Sequence, residues 1–261
     1  MLNSIWMSDL HFLAQGLVHG ADPRKNLSAA ISHINRHYAD HEFCIISGDL
    51  VNQETAEDYN ALKNHLDELT IPYFPMIGNH DDRNLIRTAL PLPENCMQDF
   101  IQYSISADEG LILCLDTHKA GEVEGEFCQA RLKWLKQELD AAQDTSIFIF
   151  LHHPPMDLGL PMLDPIKMQN GDEFLDLITT YNNVKYLFIG HVHRAISGTM
   201  RGIPFSTMNA ISFQAPAPRP EWAWDGFKND EAPKFGVMNI ENADVNIKYT
   251  QFNDEPINTN V

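Results

Sequence analysis

The chain has 261 residues, 44% of them hydrophobic and 21% charged, which is the balance of an ordinary folded protein able to bury one sizeable core. Its 18 Lys+Arg stand against 36 Asp+Glu, a formal net charge of −18, so nucleic-acid and membrane-surface partners are not expected: both are held through clustered Lys and Arg. Small anionic substrates need only a local positive site, which metal ions can supply.

Short apolar runs alternate with longer amphipathic stretches. In chain order, the pattern predicts a strand at Ser4–Met7, a helix at Asn26–Tyr38, a strand at Phe43–Ser47 and a helix at Thr55–Leu69. There follow a strand at Tyr73–Ile77, a helix at Asp82–Leu90 and a strand at Leu111–Leu115. A helix at Cys128–Ala141, a strand at Ser146–Leu151, a helix at Gly171–Tyr181 and a strand at Lys185–Ile189 complete the alternation. Leu62, Leu66 and Leu69 share one helical face, as do Leu132, Leu135 and Leu139. Alternation of this kind implies an α/β layered fold with sheet faces covered by helices. Beyond Gly190 the pattern changes: Ala195–Met200 and Ile203–Met208 flank Arg201-Gly202 as a hairpin, and Val237–Ile240 with Val245–Tyr249 read as a further strand pair.

The expected domain plan is a catalytic core over residues 1–210, a Pro/Trp-rich loop or small cap over 211–234, and terminal strands over 235–261 completing the core. Within Gln214–Pro233, the prolines at 216, 218, 220 and 233 rule out continuous helix or central strand. Trp222, Trp224 and Phe227 are costly to leave in water, so this stretch is expected to cover the site or to meet a second copy in a homo-oligomer. Cys44, Cys96, Cys114 and Cys128 lack CxxC spacing, which disfavours a disulfide framework or a thiolate zinc site and suggests a reducing compartment. The amino terminus shows no basic region followed by an apolar stretch, and no apolar run approaches the ~20 residues of a membrane helix. The cytoplasm is the expected location.

Five strand predictions are followed at once by side chains that bind metal. They are Asp9-Leu10-His11, Gly48-Asp49, Gly78-Asn79-His80-Asp81, His152-His153 and Gly190-His191-Val192-His193. Any one of these is more often a turn. Five at successive strand ends can converge on a single crevice, because ligands in α/β sheets bind beyond the carboxyl ends of strands. Carboxylate, imidazole and amide oxygen suit Mn, Fe, Co or Zn, and one carboxylate has two oxygens with which to bridge two ions. Asp9 with His11, and His191 with His193, point to the same side if the backbone stays extended. The glycines at 48, 78 and 190 suit tight turns and close backbone approach.

On this series the chain resembles the calcineurin-like metallophosphoesterase superfamily from residue 1 to about 210. It is most similar to the branch of class III cyclic-nucleotide phosphodiesterases and bacterial glycerophosphodiesterases, through His152-His153-Pro154-Pro155-Met156-Asp157-Leu158-Gly159, Met162-Leu163-Asp164-Pro165-Ile166 and Asn170-Gly171. The resemblance implies a two-sheet β-sandwich flanked by helices, a four-layer α/β/β/α arrangement. It also implies two divalent or mixed-valence transition metal ions. Carried over position by position, Asp9, His11 and His193 hold the first, Asn79, His152 and His191 hold the second, and Asp49 bridges. His153 neighbours a ligand, and the doubled histidine leaves its role open. His80, with Asn79, sits against the phosphate, orienting it or protonating the leaving oxygen.

The implied function is hydrolysis of small phosphodiesters, cyclic nucleotides or glycerophosphodiesters, by hydroxide generated at the metals. The alternatives are a phosphomonoesterase or nuclease of the same superfamily, or a non-catalytic scaffold. Protein phosphatases of the superfamily carry Gly-Asp-x-Val-Asp-Arg-Gly and Gly-Asn-His-Glu. Here Asn52 replaces the second Asp, Gln53 the Arg and Asp81 the Glu, which argues against a protein substrate and removes the acidic partner of His80. Of the other histidines, His33, His37, His41 and His65 read as surface or satisfied, and His19 and His118 as loop residues.

Overall fold

The computed structural model describes residues 1–216 and 231–252. The elements run β1 (Leu2–Met7), α1 (Pro23–His37), β2 (Phe43–Ile46), α2 (Ala56–Leu66), β3 (Tyr73–Pro75), α3 (Arg83–Ala89), β4 (Tyr103–Ala107), β5 (Gly110–Leu115) and α4 (Gln129–Ala141). They continue with β6 (Ile147–Leu151), a 3-10 turn (Asp164–Ile166), α5 (Gly171–Ile178), β7 (Val184–Ile189), β8 (Ser197–Met200), β9 (Ile203–Thr207), β10 (Lys234–Glu241) and β11 (Asp244–Gln251).

The strands form two sheets, ordered β11-β10-β1-β2-β3 and β4-β5-β6-β7-β9-β8. β1, β2 and β3 are mutually parallel, as are β5, β6, β7 and β9, whereas β4, β8, β10 and β11 pair antiparallel at or near the edges. Central strands such as Ile147-Phe148-Ile149-Phe150-Leu151 are buried at every residue, which is why they read as unbroken apolar runs. Trp6 of β1 ties the sheets together. Its ring meets Phe150 and Phe188 edge-on at 5.9 and 5.3 Å, those two stack at 4.2 Å, and its indole N–H donates to Ser47 Oγ at 2.8 Å. Leu27, Ile31 and Ile34 of α1 and Leu62 and Leu66 of α2 join this core from outside the first sheet. Leu132, Leu135 and Leu139 of α4 and Phe174, Leu175 and Ile178 of α5 pack on the outer face of the second. The result is the expected four-layer α/β/β/α sandwich.

Helix starts follow capping chemistry. Asp22 caps α1 with Pro23 next to it, so the helix begins three residues before the predicted Asn26. Thr55 and Asp82 cap α2 and α3. α5 stops at Ile178, short of the predicted Tyr181, because the Thr179 and Thr180 hydroxyls donate to the carbonyls of Leu175 and Leu177. The sequence pattern missed β4. Of the Pro/Trp-rich segment, 217–230 lie outside the described residues, and with them Trp222, Trp224 and Phe227. Among the described residues no helix is long and apolar enough to cross a membrane.

Candidate dinuclear metal centre

The loops leaving β1, β2 and β3 carry Asp9 and His11, Asp49, and Asn79 with His80; those leaving β6 and β7 carry His152, and His191 with His193. The first sheet and the second therefore face one another across a single crevice. Asp9, His11, Asp49, His152, His191 and His193 are buried, while Asn79 and His80 are partly open to solvent.

The extended backbone expected at Asp9–His11 and His191–His193 is not what brings them together. Asp9 (φ 52°), His11 (φ 40°), His191 (φ 68°) and His193 (φ 49°), like Asp49 (φ 49°), are all in the left-handed region. That region is costly for residues with a Cβ and persists where surrounding structure fixes it. Here cross-loop hydrogen bonds do so: the Asp9 and His11 amides donate to the carbonyls of Gly48 and Asp49, and the His191 amide donates to Asp9 Oδ1. Glycine allows the loops to meet. Gly48 (φ 96°) leaves no room for a Cβ, which would lie 2.6 Å from His152 Nδ1, and a Cβ on Gly78 would collide with the Asp49 carboxylate.

The donor atoms fall into two nests. In one, His11 Nε2 lies 3.0 Å from His193 Nε2 and 3.4 Å from Asp49 Oδ2, and His193 Nε2 lies 3.4 Å from Asp9 Oδ1. In the other, Asn79 Oδ1 lies 3.2 Å from His152 Nε2 and 3.0 Å from His191 Nδ1, with Asp49 Oδ1 3.4 Å from His152 Nε2. Asp49 thus turns one oxygen to each nest. Donor atoms of Asp9, His11, Asp49 and His193 all lie within 4.8 Å of one another.

The donor set fits bound cations. Two buried carboxylates share the crevice with imidazoles, and among the described residues no Lys or Arg lines it. The ring nitrogens of two of these histidines that the nests do not use, His11 Nδ1 and His191 Nε2, are buried without a hydrogen-bond partner among the described residues. Burial, with His152 nearby, pushes His191 down to about 3, and burial with His193 holds His11 well below the usual imidazole range. Burial thus favours the neutral form of both rings, the form that has a lone pair for coordination. Burial alone would raise Asp49, yet His152, His80 and His11 hold it well below the usual carboxylate range. Burial raises Asp9 despite the opposing pull of His193 and His152. The His152 and His193 rings are oriented by their Nδ1 atoms, 2.8 Å from the carbonyls of Ser47 and Phe213 respectively, which turns Nε2 inward.

The second histidine of the doubled pair is engaged elsewhere. His153 lies close to His152 and His191, but its Nδ1 is 2.8 Å from Thr117 Oγ1 and its Nε2 3.2 Å from the Val123 carbonyl. His80 donates its backbone N–H to Asp49 Oδ1 at 2.9 Å, and its Nδ1 faces the Asn52 carbonyl at 3.4 Å. The group that faces His80 Nδ1 is thus the main-chain carbonyl of Asn52. Asp81 is turned away from the crevice. Its carboxylate accepts from the amides of Leu50, Val51 and Gly78 and from the Tyr59 hydroxyl, clamping two ligand loops together.

A cavity of about 410 Å³ opens over the two nests, with His80, Asn52 and His19 on its polar side and Val123, Leu163, Ile166 and Phe213 on its apolar side. The apolar lining has no counterpart among the predicted site residues. Nor has the strap over 208–215, whose Ile211 and Ser212 amides donate to the carbonyls of Ser8 and Asp9.

The chain is similar to known proteins in sequence and in fold. The pattern of the calcineurin-like phosphoesterases matches residues 3–195. A probable cyclic nucleotide phosphodiesterase of Rhodopseudomonas palustris is 37% identical over 212 residues, 80% of this chain and 77% of that one. The glycerophosphodiester phosphodiesterase GpdQ of Enterobacter lignolyticus is 29% identical over 216 residues, again 80% of this chain and 77% of that one. Among solved structures, a dimetal phosphatase from Danio rerio shares the fold with a TM-score of 0.69 at 14% identity, over 91% of this chain and 92% of that one.

Proposed function

The chain belongs to the calcineurin-like phosphoesterase family, and from that membership and the geometry of the crevice we infer that it is a metal-dependent hydrolase of small phosphodiesters. The observation that carries the reading is the split carboxylate of Asp49, whose oxygens serve two adjoining nests of N and O donors. Asp9, His11 and His193 would hold one ion, Asn79, His152 and His191 the other, and Asp49 would bridge. A donor set without thiolate favours Fe, Mn, Co or Zn.

When bound, such ions act as Lewis acids toward the phosphoryl oxygens and make water acidic enough to serve as the nucleophile near neutral pH. The chain's own groups do the rest. Asn79 and His80 flank the open side of the nests and position the phosphate. With Nδ1 of His80 turned to the Asn52 carbonyl, its Nε2 is left for the cavity and, when protonated, donates to the leaving alkoxide oxygen. The cavity size suits one small ester, and the lack of Lys and Arg among the described residues that line it, with the net charge of −18, disfavours a polynucleotide substrate. Four free cysteines fit a reducing compartment, the cytoplasm.

The test is turnover of bis(p-nitrophenyl) phosphate against p-nitrophenyl phosphate by metal-replete protein, with metal content measured on the same sample. Two ions per chain and faster hydrolysis of the diester are expected. A preference for the monoester would make the chain a phosphomonoesterase, and a metal-free inactive chain would make it a scaffold.

A further inference from the structure

The cavity wall opposite the donor nests is built as one rigid unit. Asp164 accepts from the amides of Leu158 and Leu160 at 2.8 and 2.9 Å, folding 158–166 back on itself. The segment is then stitched to the neighbouring loop, where the Gly125 amide donates to the Lys167 carbonyl and Gln169 to that of Gly125. Leu160 and Leu163 pack on Val192, which is wholly buried and sits between His191 and His193. The same apolar cluster therefore sets the height of the wall and the position of two donor imidazoles. What the wall offers to a ligand is hydrocarbon: Leu163 and Ile166 on one side, Val123 and Phe213 completing it, with Val123 itself 53% exposed at the mouth.

An ester group entering this part of the cavity loses its water and, among the described residues of the wall, meets hydrocarbon. A polyol would leave hydroxyls unpaired against it, whereas an apolar group would exchange water for van der Waals contact. We propose that the Leu163–Ile166 wall is a specificity element that selects phosphodiesters with an apolar second ester group over those carrying a polyol. The proposal rests on the diesterase reading and refines its substrate class.

The experiment uses metal-replete full-length protein and two p-nitrophenyl phosphodiesters that differ only in the retained group, phenyl or 2,3-dihydroxypropyl. The leaving group is common to both, so the ratio of kcat/KM reports the cavity. The phenyl ester should be preferred by about tenfold or more, the discrimination an apolar pocket achieves. Ile166→Asn should cut that ratio at least about fivefold. Because a substituted wall can misfold, product inhibition of the unmodified protein gives a second reading: phenyl phosphate should inhibit about tenfold more tightly than glycerol phosphate. Equal use of the two esters, a glyceryl preference, or an unchanged ratio in a folded Ile166→Asn protein would overturn the wall's role while leaving the diesterase intact. Hydrolysis of neither ester would overturn the diesterase reading and this one with it.

Discussion

Asp49 serves both nests, so it is the residue whose loss cannot be local. Asp49→Ala should lower metal content from two ions to one or none per chain, read by elemental analysis, and abolish turnover. Retention of both ions would remove the bridging role. His80 is different in kind. It touches neither nest through its ring nitrogens, so His80→Ala should keep both ions and lose about 10²–10⁴ in kcat. Undiminished turnover in a metal-replete His80→Ala protein would end its assignment to the leaving group. The missing acidic partner of His80 is replaced by a main-chain oxygen at Asn52, so Asn52→Ala should leave the orientation of the ring, and most of the rate, in place.

Among elements, the loops after β2 and β3 depend on a residue that faces away from the chemistry. Burial and neighbouring Asp49 raise the Asp81 carboxyl to about 7 against the opposing pull of the Gly78, Leu50 and Val51 amides. Asp81→Ala strands those buried donors and should cost about 3 kcal/mol by urea unfolding, with weaker metal retention as the loops separate. Unchanged stability would show the clamp to be dispensable. The strands that lead to the ligand loops were legible largely through buried apolar runs, among them Ile5–Met7, Phe43–Ile46, Ile147–Leu151 and Leu187–Ile189. The donor side chains that the structure gathers in the crevice were legible because each stands shortly beyond such a run. β4 was missed although Tyr-Ser-Ile-Ser-Ala carries the period-2 alternation of a half-buried edge strand; the run is only five residues long. The strap over 208–215 was illegible for another reason: it acts largely through backbone groups such as the Phe213 carbonyl, which any residue supplies. The left-handed backbone at five ligand positions also leaves no trace in a sequence, because Asp and His are chosen there for their side chains and the strain is borne by cross-loop hydrogen bonds.

At the scale of the whole molecule, pH reaches the fold through His118. Burial, with Arg83 close by, lowers its pKa to about 4. Above pH ~6.5 both folded and unfolded chains hold it neutral and its contribution is complete. As pH falls from there toward 4, the unfolded chain takes up a proton that the folded one refuses, so stability declines. Between pH 7 and 5 the loss should be about 2 kcal/mol more in the native sequence than in His118→Asn, measured by urea midpoints. Parallel pH profiles for the two proteins would exclude His118 as the source.

The candidate ligands come from two sheets that, among the described residues, share no hydrogen-bonded strand pair: four from the ends of β1, β2 and β3, three from the ends of β6 and β7. A pair of ions at that place would rivet the sandwich along one end, while Trp6 and the stacked phenylalanines hold its middle. Chelation should then do more than halt turnover. Amide exchange should quicken at the ligand-bearing rim of both sheets, and the opposite rim, where β1 and β10 pair at Leu2 and Ile240, should keep its protection.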